Sequence, residues 1–357
     1  MTKRILVINP GSTSTKIAIY NNEDPLFIQS IEHSAQELAS FEEISQQYLM
    51  RKEIILSVLK ERGIELASID VIVARGGILP PVKSGAYKIN QAMVDQLRYH
   101  AVVEHASSLG AIIAFSLAKD LALDAYIYDP VTVDEMEPIA KITGLPQMQR
   151  RALGHNLNMR ASAIKYSKEI GADYQDLTLL VAHLGGGITL SLHHKGRMID
   201  MITDDEGPFS PERAGGLPAF QVIEMATQPG ADYKSLMSKL RSQGGLKAHF
   251  GTTDAREIEE KIKNGDQEAA LIYEAMAHNV AKNIGKLAVV VEGKVDAIIL
   301  TGGIAYSEMI SKWIIQRVAF IAPVKVLAGE NEMEALALGV LRVVRGTEKA
   351  HLFTIEE

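Results

Sequence analysis

Residues 4–20 read RILVINPGSTSTKIAIY. Residues 5–8 are apolar and β-forming, Asn9-Pro10-Gly11-Ser12 are turn formers, and residues 14–20 return to an apolar pattern through Ile17, Ala18 and Ile19. The stretch is therefore strand, tight polar turn, strand. The turn carries hydroxyls at Ser12, Thr13, Ser14 and Thr15, followed by a cation at Lys16. Glycine and short hydroxyl side chains let backbone N–H groups and side chains converge on an anion such as phosphate. This is not a P-loop, because the G-x-x-x-x-G-K-[ST] spacing is absent and a strand, not a helix, follows the turn.

The stretch recurs. Residues 180–196, LVAHLGGGITLSLHHKG, align with it without gaps, Leu180 standing 174 positions after Leu6. Gly11 matches Gly185, Thr15 matches Thr189, and both copies end in a polar turn, Asn21-Asn22 and Lys195-Gly196. One glycine-rich hairpin is an ordinary β-turn. Two in register, one per half, argue for a duplicated domain with two phosphate turns facing one cleft.

The rest of the composition narrows the class. The chain has 357 residues, enough for about two domains. It is 47% hydrophobic and 23% charged, a normal globular balance. A formal charge of −7 leaves no electrostatic footprint for nucleic acid. With no cysteine, neither a disulfide framework nor a thiolate metal site can form, which fits a reducing compartment. No apolar run approaches the ~20 residues of a membrane span, and no apolar signal segment opens the chain. A cytoplasmic protein without membrane or nucleic-acid partners is expected.

Along the chain, residues 26–32 read as a third strand, and residues 34–62 as one or two helices ended by Gly63. Residues 69–74 are a buried strand ending on Arg75-Gly76-Gly77, the carboxyl end where open α/β sheets place ligands. Residues 90–118 read as helices. Residues 125–128 form a strand delivering Asp129-Pro130, and Asp129 is there either a ligand group or an Asx-turn residue. Arg150, Arg151 and His155 precede a helix over 156–169 and suit oxyanions or a solvated, capped helix start. After the second hairpin, residues 197–203 read as its third strand. Residues 204–216 form a polar loop with Arg213. Asp254 with Glu257 has the spacing of a capping box before 255–264. Residues 268–291 form a long helix whose Ile272, Met276, Val280, Ile284 and Leu287 make a core face. A strand over 295–300 ends on Gly302-Gly303-Ile304, where glycines admit a flat or anionic ligand. A last strand over 324–327 precedes a helix over 331–345, whose acids Glu330, Glu332 and Glu334 offset the helix dipole.

Together these motifs resemble the acetokinase family, within the superfamily of acetate and sugar kinases, Hsp70 and actin. The residues that carry the resemblance are the turn from Asn9 to Lys16, Arg75-Gly76-Gly77, Tyr128-Asp129-Pro130, Arg150-Arg151 with His155, His183-Leu184-Gly185-Gly186-Gly187, Ser210-Pro211-Glu212-Arg213, Thr301-Gly302-Gly303-Ile304 and Asn331-Glu332. They span almost the whole chain in the expected order. The implied fold is α/β, with duplicated ribonuclease H-like (actin-like ATPase) domains, mixed β-sheets flanked by helices and a nucleotide cleft between them. The implied boundaries are 1–177 for an N-terminal domain on the acyl-substrate side, 178–328 for a C-terminal domain on the adenosine side, and 329–357 for a helix and tail packing back on the first.

The resemblance also implies roles. Asn9, Ser12, Ser14 and Lys16 sit in the first phosphate turn, and His183, Gly185, Gly186 and Gly187 in the second. Gly302, Gly303 and Ile304 lie against adenosine. Asp129 and Glu332, with Glu334 as the alternative to Glu332, hold magnesium. Arg75, Asp129, His155 and Arg213 are the catalytic set. The implied reaction transfers the γ-phosphoryl of ATP to butyrate or a similar short or branched fatty acid, giving acyl phosphate and ADP, in a homodimer or larger homo-oligomer. One departure matters: the arginine that acetate kinases carry three residues before the histidine of their H-R-V-V-H-G-G motif is Ile72 here, and Arg75 replaces that histidine. This points towards the butyrate branch. Acetate or propionate as substrate, a sugar or polyol kinase, and a non-catalytic actin-like assembly protein are the alternatives.

Overall fold

The computed structural model describes residues 2–100 and 105–355. The chain divides into two compact units, Met1–Asp134 with Asn331–Glu357, and Glu135–Glu330. The first holds strands β1 (Arg4–Pro10), β2 (Ser14–Asn21), β3 (Asp24–Glu32), β4 (Val71–Arg75), β5 (Ala86–Lys88) and β6 (Ala125–Tyr128). The second holds β7 (Thr178–Leu184), β8 (Ile188–His194), β9 (Arg197–Ile202), β10 (Ala297–Gly302) and β11 (Val324–Ala328), and a terminal strand β12 (His351–Leu352) returns to the first sheet.

The duplication is explicit in the topology. The sheets run β12-β5-β6-β4-β1-β2-β3 and β11-β10-β7-β8-β9. In each, an antiparallel three-stranded meander continues through parallel strands, β1 to β4 to β6 and β7 to β10 to β11. The central strand of each meander bulges near its end, at Ile19/Tyr20 and at Leu192/His193. Only the first sheet extends further, through the short β5 and β12, which the sequence reading did not contain.

Both faces of each sheet are covered, which is why the strands read as continuous apolar runs. In the second unit, Leu180, Ala182, Leu184, Ile298 and Leu300 share one cluster with Met276, Val280, Ile284 and Leu287 of the helix Gln267–Ala288. Their neighbours Leu179, Val181, Ala297 and Ile299 face Met159 and Ala163 of the helix Asn156–Glu169. In the first unit, Leu6, Ile8, Ile72 and Ala74 face Ile55 and Leu59 of the helix Tyr48–Glu61 and Leu109 and Ile112 of the helix Ser108–Leu121.

The boundaries differ from those expected at 177 and 328. Residues 135–177 belong to the second unit, because the helix Asn156–Glu169 covers that sheet and Glu137 N–H donates to the Ile199 carbonyl. Residues 331–357 belong to the first, where the helix Glu332–Val344 packs on β1, β4 and β6. Gly339 lets that helix approach closely, since a Cβ there would lie 2.6 Å from the Tyr128 ring. In the stretch read as helical over 90–118, the described helices are Gln91–Tyr99 and Ser108–Leu121, and residues 101–104 lie outside the described residues. Asp254 does cap its helix, but through the Arg256 N–H rather than through the paired box expected with Glu257.

Candidate active site

Parallel strands bring their carboxyl ends to the same edge of a sheet, and the chemistry-bearing residues of each unit collect there. In the first unit Asn9 is the penultimate residue of β1, Arg75 ends β4 and Asp129 follows β6, with Ile8 beside Ala74 and Arg75 beside Tyr128 in register. Glu332 joins them from the first turn of its helix. Its Oε2 accepts from Asn9 Nδ2 at 2.6 Å and from Arg75 Nη1 at 2.9 Å. This goes beyond the dipole role its position suggested, and it separates Glu332 from Glu334. Glu334 lies near Tyr20, whose hydroxyl is pushed up to about 12 by burial and then by that carboxylate.

Asp129 is 3% exposed and adopts a positive φ of 39°. A non-glycine residue there is held by its surroundings at a cost of about 1–3 kcal/mol. The hold is visible: Oδ1 accepts from Gly85 N–H at 2.7 Å, and Asp129 N–H donates to the Gly85 carbonyl. This long-range clamp ties Asp129 to the segment leading into β5. Lys16 pairs with Asn9 across the hairpin, so both side chains lie on one face of the sheet, and Lys16 and Ser12 are exposed. Ile72, the position of the missing arginine, is fully buried mid-strand in the core. Leu79 is also core.

In the second unit His183, near the end of β7, is 1% exposed and stacks on His155 with ring centroids 3.9 Å apart and an interplanar angle of 11°. Asn158 Nδ2 donates to His183 Nδ1 at 2.9 Å, which puts the ring proton on Nε2. That atom lies 3.4 Å from Glu330 Oε1 without making a hydrogen bond. His155 Nδ1 bonds Thr189 Oγ1 at 2.9 Å and makes no side-chain cap on its helix. Thr15, the repeat partner of Thr189, likewise bonds a histidine, His33, at 2.8 Å. Arg150 is committed to the fold, bound to Asp200, Glu206 and the carbonyls of Ala140 and Met201.

Arg213 pairs with Asp204, and its backbone N–H donates to Ser210 Oγ. Ser210 in turn donates to the Gly186 carbonyl. The guanidinium lies flat against the second turn: a Cβ at Gly187 would fall 2.8 Å from its Cζ. Its Nε is buried without a hydrogen-bond partner among the described residues. Gly302, at the end of β10, has φ +91°, and a Cβ there would lie 2.4 Å from the Leu184 carbonyl oxygen. Gly303 is exposed, and a Cβ there would meet nothing within 4 Å.

The acetokinase family model matches residues 154–336. The chain belongs to the acetokinase family. It is 46% identical, over 97% of its length and 98% of the relative's, to butyrate kinase 1 of Clostridium acetobutylicum. Its fold is similar to that of Porphyromonas gingivalis acetate kinase, with TM-score 0.81 and 18% identity over 96% of this chain and 100% of that one. It is similar too to a propionate kinase from Francisella tularensis, with TM-score 0.78 and 20% identity over 94% and 98%.

Within this acetokinase, the first unit joins Asn9, Arg75 and Glu332, and the second joins His155, His183 and the glycine turn with Arg213. Sequence reading missed Arg51, His33, Asn158, Thr189 and Asp204, and gave Glu330 only a role at the helix dipole. Thr189 was marked by the repeat. The others carry no local signal. Among the described residues no group of three or more His, Asp or Glu side chains forms a metal cluster. The hard oxygen donors of Asp129 and Glu332 nonetheless suit magnesium, which keeps several waters and uses one or two carboxylates with substrate phosphates. Both bonds to Glu332 fall on Oε2, and Oε1 takes no hydrogen bond among the described residues.

Proposed function

We propose that the chain is a carboxylate kinase that transfers the γ-phosphoryl of ATP reversibly to butyrate or a similar short or branched fatty acid, giving acyl phosphate and ADP. The 46% identity to a butyrate kinase over 97% of the chain carries this reading. Asn9, Ser12, Ser14, Lys16 and residues 183–187 bind phosphates, and Gly302, Gly303 and Ile304 receive adenosine.

The acid, with a pKa of ~4–5, is ionised at neutral pH, so no general base is needed. The barrier is electrostatic, because one anion must approach another. Arg75 and Arg213 act on it. Each already holds a carboxylate, Glu332 or Asp204, and each through Nη1 alone. A guanidinium has five donors, so both can keep that partner and still engage an oxyanion. The unpartnered Nε of Arg213 is the donor that supports this best. The partners fix where the guanidinium groups stand before substrate arrives, which favours in-line transfer. His183 adds an N–H donor whose ring is held by Asn158 and by stacking on His155, itself held by Thr189. Asp129 and Glu332 hold magnesium. When bound, the ion neutralises charge on the transferring group.

A cytoplasmic homodimer or larger homo-oligomer is part of the proposal. The helix Ala219–Ala226 has no buried residue, and Phe220 is 83% exposed, an apolar surface suited to a second copy. No helix among the described residues is long and apolar enough to cross a membrane.

The test traps acyl phosphate with hydroxylamine, using ATP, magnesium and acids from acetate to valerate with branched forms. Product should peak at butyrate or isobutyrate. Because each buried methylene is worth only ~0.8 kcal/mol, the preference should be graded. A peak at acetate overturns the branch. No product with any acid, alongside tight ATP binding, favours the sugar-kinase or assembly reading.

A further inference from the structure

Arg51, on the helix Tyr48–Glu61, is 0% exposed, yet no carboxylate pairs with it among the described residues. An unpaired buried charge is expensive, and native chains rarely keep one without use. Its two Nη atoms reach the first glycine turn, while its Nε has no hydrogen-bond partner among the described residues. Nη1 binds the carbonyls of Gly11 at 2.8 Å and Ser14 at 2.9 Å and the hydroxyl of Thr15 at 3.1 Å. Nη2 binds the carbonyl of Ser12 at 3.1 Å and Gln47 Oε1 at 2.8 Å. His33 N–H takes the remaining turn carbonyl, that of Thr13, at 2.8 Å. Every carbonyl from residue 11 to residue 14 is thus satisfied, and those of Gly11, Ser12 and Ser14 point inward at Arg51. A trans peptide points its N–H opposite its C=O, so the N–H groups of Ser12 and Thr13 are turned the other way. Neither N–H has an acceptor among the described residues. Outward N–H groups over an inward cation form an anion nest.

We propose that Arg51 is the positioning residue of the first phosphate turn and that the nucleotide's phosphates are the counter-ion of its buried charge. The proposal rests on the assignment of residues 9–16 as a phosphate turn. Burial lowers the guanidinium to about 10, so it remains a cation at neutral pH. His33, beside it, is held below its ordinary value by burial and by Arg51, so it stays neutral and does not compete.

The decisive variant is Gln47→Glu. It is nearly isosteric, keeps the acceptor for Arg51 Nη2, and supplies the missing carboxylate. Calorimetric titration of the full chain with ATP and with adenosine reads the effect. Gln47→Glu should weaken ATP on the order of tenfold while leaving adenosine unchanged, because only the phosphates lose field. Arg51→Lys keeps the charge but loses the fork, and should also weaken ATP and spare adenosine. A purely structural role would weaken both ligands alike, and that result overturns the proposal, as does unchanged ATP affinity in Gln47→Glu. If the wild-type chain itself binds ATP no more tightly than adenosine, the phosphate-turn assignment fails, not merely the role of Arg51.

Discussion

Replacing Gly187 by alanine separates the position of Arg213 from its presence. Gly187 has no positive φ, so the backbone accepts alanine. The new Cβ would stand 2.8 Å from Cζ, 2.9 Å from Nη1 and 3.1 Å from Nε of Arg213. Carbon contacts relax at roughly 3.5 Å and beyond, so the guanidinium must recede by about 0.7–1 Å. It is the far end of a flexible side chain, so the fold loses little, under about 1 kcal/mol. Catalysis is less forgiving: a 1 Å displacement of a positioning group costs about 10²-fold. Turnover, measured as hydroxylamine-trapped acyl phosphate, should therefore fall about 10²-fold in Gly187→Ala, well beyond any loss of ATP affinity by titration calorimetry. Arg213→Ala sets the ceiling at ~10³-fold or more, since a displaced arginine cannot cost more than a missing one. Wild-type turnover in Gly187→Ala would refute the reasoning. A loss exceeding that of Arg213→Ala would move the damage away from Arg213.

Further expectations follow from the same geometry. Arg213→Ala should lower turnover far more than nucleotide affinity, and equal losses would remove it from the transition state. Gly302→Ala should destabilise by more than about 2 kcal/mol through its clash and positive φ, whereas Gly303→Ala should leave the melting temperature unchanged and weaken nucleotide binding. Calorimetry on both variants checks this, and unchanged affinity in Gly303→Ala would exclude adenosine from that backbone. His193 is fully buried, with Tyr174 and Ser191 on its two ring nitrogens. Burial, and then Arg160, hold it down at about 3 against an ordinary 6.5. The unfolded chain takes a proton near pH 6.5 that the folded chain refuses. Its stability contribution is therefore complete above pH 6.5 and falls towards pH 3 by up to about 1.4 kcal/mol per unit. Urea unfolding of wild type and His193→Gln should show the difference between them narrowing by about 1.6 kcal/mol from pH 6.5 to pH 5. A constant difference would mean that His193 protonates inside the fold.

What the sequence determined was what repeats locally. The hairpin at residues 4–20 and its copy at 180–196 specified two meanders, because strand, turn and hydroxyl pattern are all short-range. The helix Asn156–Glu169 was legible from its flanking His155 and Gly171, and the strand ends at Arg75 and Gly302 from apolar runs stopped by glycine. What only the tertiary structure decided depends on residues far apart. Glu332 and Glu334 are equivalent as sequence, and the fold alone gives Asn9 and Arg75 to Glu332 and sets Glu334 near Tyr20. β5 and β12 escaped notice because strands of three and two residues carry no period. Residues 135–177 follow the first hairpin in sequence but join the second unit, because their helix finds its apolar partner on the sheet that comes after it. Arg51 reads as one charged residue of a helix, and nothing local marks it out. Its side chain instead sits beneath a turn some forty residues earlier, because the carbonyls of that turn need donors that no nearby residue supplies.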